Sequence, residues 1–136
     1  MMELHEVRDY LKKANIANNY YVGKLDSKKD KSIGVYQLKK RNDYTRAVGD
    51  ECNDRIKQKG ISILIHWNKN ATETERAAQE LFDFLKNTQP KTMIGKNEVS
   101  YIQLLNYEPI DVSTDESGVY ERVIEIIIYY KITETN

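Results

Sequence analysis

The chain has 136 residues, 40% hydrophobic and 31% charged, with 21 Lys+Arg balanced by 21 Asp+Glu. A chain this long buries roughly two-thirds of its unfolded surface, so residues 1–136 read as one domain with a true core. The zero net charge excludes a global field that recruits nucleic acid or anionic lipid. The single Cys52 excludes an intramolecular disulfide and fits a reducing cytosol. The longest apolar run, Ile126–Tyr130, is too short to cross a bilayer, so no membrane partner is expected.

The first residues, MMELHEVRDYLKK, lack the apolar stretch of a signal peptide. Leu4, Val7, Leu11 and Ala14 recur at helical spacing, which predicts an amphipathic helix over residues 2–15, broken by Asn15, Asn18 and Asn19. Tyr20–Leu25 and Ile33–Leu38 are β-rich runs joined by the polar Asp26–Lys31 and read as a hairpin. The pattern dissolves from Lys39 to Lys59. Such a long irregular stretch is usually functional or disordered, and this one is expected to be a mobile, partner-binding loop.

Ile61, Ile63, Ile65 and Trp67 alternate with Ser62, Leu64, His66 and Asn68, as in a half-buried strand. A second helix follows, with Thr72 and Glu75 at capping-box spacing and Thr74, Ala78, Leu81 and Leu85 on one face, flanked by Ala77 and Phe82. Met93–Ile94 and Val99–Leu105 flank Gly95–Asn97, read as a three-residue hairpin loop. After a polar loop comes a last strand, Val119–Ile132. Its core face carries Tyr120, Ile124, Ile126, Ile128, Tyr130 and Ile132. Its other face mixes Glu121 and Glu125 with Val123, Ile127 and Tyr129, as a surface covered by a neighbour would. The order is α-β-β-β-α-β-β-β. Short connections favour an α+β fold, a mostly antiparallel sheet with both helices on one face.

The chain offers little chemistry. His5 and His66 are the only histidines. His66 alternates with apolar strand residues beside Trp67 and reads as a packed or surface strand histidine rather than a catalytic one. Cys52 has no histidine near it in sequence. The six glycines form no phosphate-binding loop. Asp111, Ser113 and Asp115 imitate the opening of a calcium loop, but Glu116 replaces the required glycine and Arg122 stands where a bidentate Glu belongs. No catalytic set, cofactor or metal-ligand spacing is found, so stability is expected not to depend on a chelator.

Charge is distributed unevenly. Lys24–Arg46 carries eight basic residues against three acids, a net of +5, while Glu108–Asn136 carries seven acids against two basic residues, a net of −5. A neutral chain divided in this way can present one patch to the other on its own copy. The candidate interface is therefore Lys28, Lys29, Lys31, Lys39, Lys40 and Arg41 facing Asp111, Asp115 and Glu116 of the next copy. Val123, Ile127 and Tyr129 would supply apolar contact. Ten of the thirteen aromatics are tyrosines, a type enriched at interfaces.

Three stretches carry a resemblance: NNYYVGKLDSKKDKSIGVYQ, KGISILIHWNKNATETERAAQELFDFL and YIQLLNYEPIDVSTDESGVYERVIEIIIYY. Together they resemble the minor capsid or tail-terminator proteins of phages and phage-like elements of Gram-positive bacteria. The HWNKN turn into the ETE-started helix and the EPIDV…GVYE loop into the last strand are the most specific parts. Between Leu38 and Gly60 the likeness loosens, with Gly49 alone where more glycine is expected. The resemblance implies a non-enzymatic α+β subunit that forms a ring, expected to be a hexamer, on the finished tail tube. Such a ring stops tail polymerisation and receives the head-completion or connector protein. DNA passes through its lumen without sequence-specific binding. The protein would be assembled in the bacterial cytoplasm and reside in the virion. Another head-tail connector or minor capsid role, or a small nuclease-like enzyme using His66, are the rival readings.

Overall fold

The structure, a computed structural model, describes residues 1–39 and 56–133. Helix α1, Leu4–Leu11, opens on a reciprocal capping box in which the Glu6 carboxylate accepts from Glu3 N at 2.8 Å. This pairing satisfies donors that the first turn leaves orphaned. The helix is shorter than its apolar spacing predicts, because Lys12–Ala14 tighten into a 3₁₀ turn and Asn15 takes a left-handed conformation at φ 53°.

Strands β1, Asn19–Val22, and β2, Ser32–Gln37, correct the expected hairpin. They pair in parallel, from Asn19↔Ser32 to Val22↔Val35. A four-residue strand spans only about 13 Å, so the nine residues from Gly23 to Lys31 are long enough to run back beside it. Hydrogen bonds from Asn18 N to Lys31 O (2.9 Å) and from Lys31 N to Trp67 O (2.7 Å) fix the return.

Strand β3 covers Lys57–His66, so it begins four residues before the expected Ile61. Its antiparallel partner β7, Tyr120–Ile132, has 13 residues and extends the ladder to Lys57↔Tyr130. The expected irregular segment 39–59 therefore loses residues 57–59 to a strand. Its residues 40–55 lie outside the described residues. Helix α2, Ala71–Lys86, starts earlier than the Thr72–Glu75 box suggests. Asn70 is the N-cap, and its side chain accepts from Glu73 N at 3.1 Å.

Strands β4, Met93–Ile94, and β5, Asn97–Leu104, meet through Gly95 and Lys96 alone, one residue fewer than expected. Gly95 has φ +63°, and a Cβ there would overlap the Glu6 carboxylate of α1. Glycine is required here by the left-handed turn, and the Glu6 side chain fills the space that a Cβ would take. Strand β6, Ile110–Thr114, falls in the expected polar loop. Four of its five residues are exposed, so it shows no apolar alternation.

The sheet order is β1-β2-β3-β7-β5-β4, with β6 also paired to β7. One long edge of β7 holds β3. The other is shared by β5, up to Leu104↔Ile126, and β6, from Ile110↔Val123. Every strand pair other than β1–β2 is antiparallel. Both helices pack on one face. Val7 and Leu11 of α1 and Ala78, Leu81 and Leu85 of α2 join Ile33, Val35, Ile61, Ile63, Ile65, Ile124, Ile126 and Ile128 in one buried cluster. The two helices also touch, with the Tyr10 and Phe84 rings 5.2 Å apart. The fold class and the central core residues read from the sequence agree with this architecture, but at the ends of β7 Tyr120 is only half-buried and Ile132 is 45% exposed, because the helices do not reach over them.

Candidate functional site

The strand face turned away from the helices is the surface with unexplained character. Because register partners share a face, Gly34, Leu64 and Val123 form one row across it, and Tyr36, Ser62 and Glu125 form the next. Leu64, Val123 and the second row, with Gln37, Leu38 and Lys39, line a groove of about 360 Å³. The Tyr36 ring folds back over Gly34, and its hydroxyl accepts from Leu25 N at 3.2 Å. Leu38 sits over Gly60 in the same way, its Cβ 3.1 Å from where a glycine Cβ would be. Two glycines thus give two large side chains room to lie flat on the sheet.

Val123 and Tyr129, both expected at an interface, are half-buried on this face. Tyr129 donates to Gln103 Oε1 at 2.9 Å, and its ring lies 5.9 Å from that of Tyr101. Ile127 lies between them in sequence but is only 1% exposed, so it is packed within the subunit. Lys39 is exposed at the rim of the groove. Lys40 and Arg41 lie outside the described residues. The sequence reading passed over Tyr101 and Tyr107, which are 60% and 102% exposed. Their residue type was the one signal that could have marked them, since neither stands in a strongly patterned run.

The charged candidates gather at the end of the sheet where β3 finishes. Lys28, Lys29 and Lys31 are exposed on the β1–β2 connection, and Glu116 is exposed on the β6–β7 turn. None of these four forms an ion pair among the described residues. Asp111 is exposed and lies 3.7 Å from the Arg122 guanidinium. Asp115 is more committed. Its Oδ1 accepts from Ser117 N and Val119 N, both at 2.9 Å. The Val119 bond is the main reason its carboxyl is held below the usual aspartate range; Ser117 and the His66 ring act in the same direction, and burial opposes them.

Between these two loops lies His66, fully buried although it points to the outer face. The connection and the turn close over it. Its Nε2 is 3.0 Å from the Ser27 carbonyl oxygen, its Nδ1 is 2.8 Å from Glu121 Oε2, and Asp115 Oδ2 is 3.8 Å away. This packed histidine agrees with the sequence reading, but its two carboxylate neighbours were not legible. They come 49 and 55 residues later and meet it only through the β3–β7 register. No helix among the described residues is long and apolar enough to cross a membrane.

No curated protein sequence matches this chain. The solved structure of the bacteriophage SPP1 gp17 protein is similar at a TM-score of 0.49 and 10% identity, covering 97% of this chain and 86% of that one. Residues 9–132 match the profile of a family described as bacteriophage tail terminator protein. That match takes in the end of α1, all of α2 and every strand of the sheet, and the chain belongs to the bacteriophage tail terminator protein family.

Proposed function

We propose that this protein ends the phage tail by forming a ring, a hexamer, on the completed tail tube, where it stops polymerisation and receives the head connector. The family match over residues 9–132 carries this reading. In it the subunit works by association, in the virion, and DNA passes through the lumen without being read. The outer face supports it. A groove bordered by Tyr36, Leu38, Leu64 and Val123, with the tilted ring pair of Tyr101 and Tyr129 further along β7, has the aromatic and aliphatic character of an interface core.

Val123, Tyr129 and Lys39 then belong to the contact between copies, while Ile127, on the same face of β7, is packed within the subunit. Lys28, Lys29 and Lys31 of one copy face Asp111 and Glu116 of the next, with Asp115 fixing the shape of the acidic turn. Charge sets orientation and encounter rate more than affinity, and a head-to-tail contact of this kind closes into a ring when the rotation per subunit permits. A catalytic role for His66 is disfavoured because its ring is fully buried and both nitrogens already face acceptors.

The test is to add purified protein to tail-tube protein during its polymerisation. The reading expects tubes that stop growing with extra density at one end, and Val123→Asp should abolish the effect while the subunit stays folded. Tubes that lengthen as before in the presence of excess wild-type protein would refute it.

A further inference from the structure

His66, Asp115 and Glu121 form a compact cluster of titratable side chains, of which the proposed contact between copies draws only on Asp115, to shape the acidic turn. Three potential ligand atoms, His66 Nδ1, Asp115 Oδ2 and Glu121 Oε2, lie within 4.8 Å of one another. The ring orientation is fixed from the other side. A carbonyl oxygen only accepts, so Nε2 must carry a hydrogen to bond Ser27 O at 3.0 Å. In the neutral ring this leaves the Nδ1 lone pair directed at the two carboxylates. A histidine ligand commonly has this arrangement, donating its remote N–H to a backbone carbonyl while the near nitrogen meets the ion.

The carboxylates are arranged to match. Asp115 commits Oδ1 to Ser117 N and Val119 N, and Oδ2 accepts no hydrogen bond from the described residues. Glu121 is the direct register partner of His66, so β3–β7 pairing alone delivers its Oε2 to Nδ1. A proton on Nδ1 can be donated fully to only one of these oxygens. A cation placed between them engages all three.

We propose that His66, Asp115 and Glu121 bind a divalent metal ion of the zinc class, with Ser27 O orienting the histidine from behind. A neutral imidazole and two carboxylates carry −2, which a dication neutralises. One nitrogen and two oxygen donors suit zinc and its transition-metal neighbours; magnesium and calcium favour all-oxygen shells. Bonds of about 2.0–2.2 Å place tetrahedral donors about 3.3 Å apart. The present separations of 2.8 Å and 3.8 Å from Nδ1 bracket that value, and with all three donors within 4.8 Å of one another the carboxylates would close on the ion by side-chain rotation. The carboxylates are 19% and 18% exposed, which gives the ion a route in and room for water at the remaining position. The ion would join the β1–β2 connection, β3, the β6–β7 turn and β7 at a single point.

The test uses the full chain, stripped with a chelator, freed of it by dialysis and titrated with zinc chloride against a chromophoric competitor. The proposal expects one zinc per chain, a melting temperature that rises with zinc concentration, and a large shift of the His66 Nδ1 resonance in ¹⁵N NMR. Asp115→Asn keeps the Oδ1 acceptor and Glu121→Gln keeps the side-chain shape. Each should weaken zinc binding at least tenfold while the protein remains folded. Absence of 1:1 binding to the wild-type chain, or binding unchanged by either variant, would overturn the site and leave a histidine–carboxylate hydrogen bond.

Discussion

The ring of Tyr36 lies directly over Gly34: a Cβ at Gly34 would stand 2.8 Å from Tyr36 Cε1 and 3.1 Å from its hydroxyl oxygen. The two are on one strand and one face, so the glycine makes the space that the ring fills. That ring borders the outer groove and holds Leu25 of the β1–β2 connection through its hydroxyl. Gly34→Ala should destabilise the subunit by about 1–3 kcal/mol, the usual cost of overpacking. The loss should shrink in a Tyr36→Ala background, where no ring is displaced. Denaturant unfolding of the four proteins measures it, and equal losses in both backgrounds would refute the relationship.

Ile126 is fully buried at the centre of the sheet, paired with Ile61 on one side and Leu104 on the other. Ile126→Ala should cost about 2–5 kcal/mol, a large share of a small domain's stability. Val123→Ala, on the half-buried outer face, should cost much less in the isolated subunit and show its main effect on assembly. Chemical denaturation ranks the two, and a near-silent Ile126→Ala would mean the faces of β7 are reversed.

Asp115 should give the fold an acid-side signature. Its carboxyl is held below the usual value, chiefly by Val119 N, so the folded state favours the ionised form. The resulting stability is fully present above the ordinary aspartate value of about pH 4 and fades as pH falls through the depressed one. With chelator present, the stability difference between wild type and Asp115→Asn should be constant near neutrality and narrow below about pH 4. A difference that persists unchanged down to pH 2 contradicts this.

The charge patches lie at one end of the subunit, so a double reversal within one chain could restore pairing without any contact between copies. Mixing separates the cases. One variant carries Lys28, Lys29 and Lys31 reversed to Glu, and the other carries Asp111 and Glu116 reversed to Lys. If neighbours meet head to tail, each alone should fail to form rings on tails, while an equal mixture should assemble in alternation. No recovery in the mixture, scored by electron microscopy, removes these residues from the interface.

Much of the fold was legible because its central strands obey simple periodicity. Ile61, Ile63 and Ile65 and then Ile124, Ile126 and Ile128 alternate as buried strand positions must, and Leu81 and Leu85 keep helical spacing. The rest depended on pairing. Asn19–Val22 looks like half of a hairpin because composition does not encode strand direction, and Lys57–Lys59 become a strand only because β7 is long enough to pair with them. Strand β6 escaped notice because an exposed edge segment has no core face to mark it. For the same reason Val123 and Tyr129 could be placed on the outer face, whereas Ile127 could not be recognised as buried there. The His66–Asp115–Glu121 cluster depends on register across 55 residues and left no local trace.

If this protein sets the end of the tail, electron micrographs of phage particles made without it should show overlong tails without heads, alongside filled heads without tails. Supplying the wild-type protein should restore whole particles. Tails of normal length without it, or normal tails joined to heads, would contradict that role.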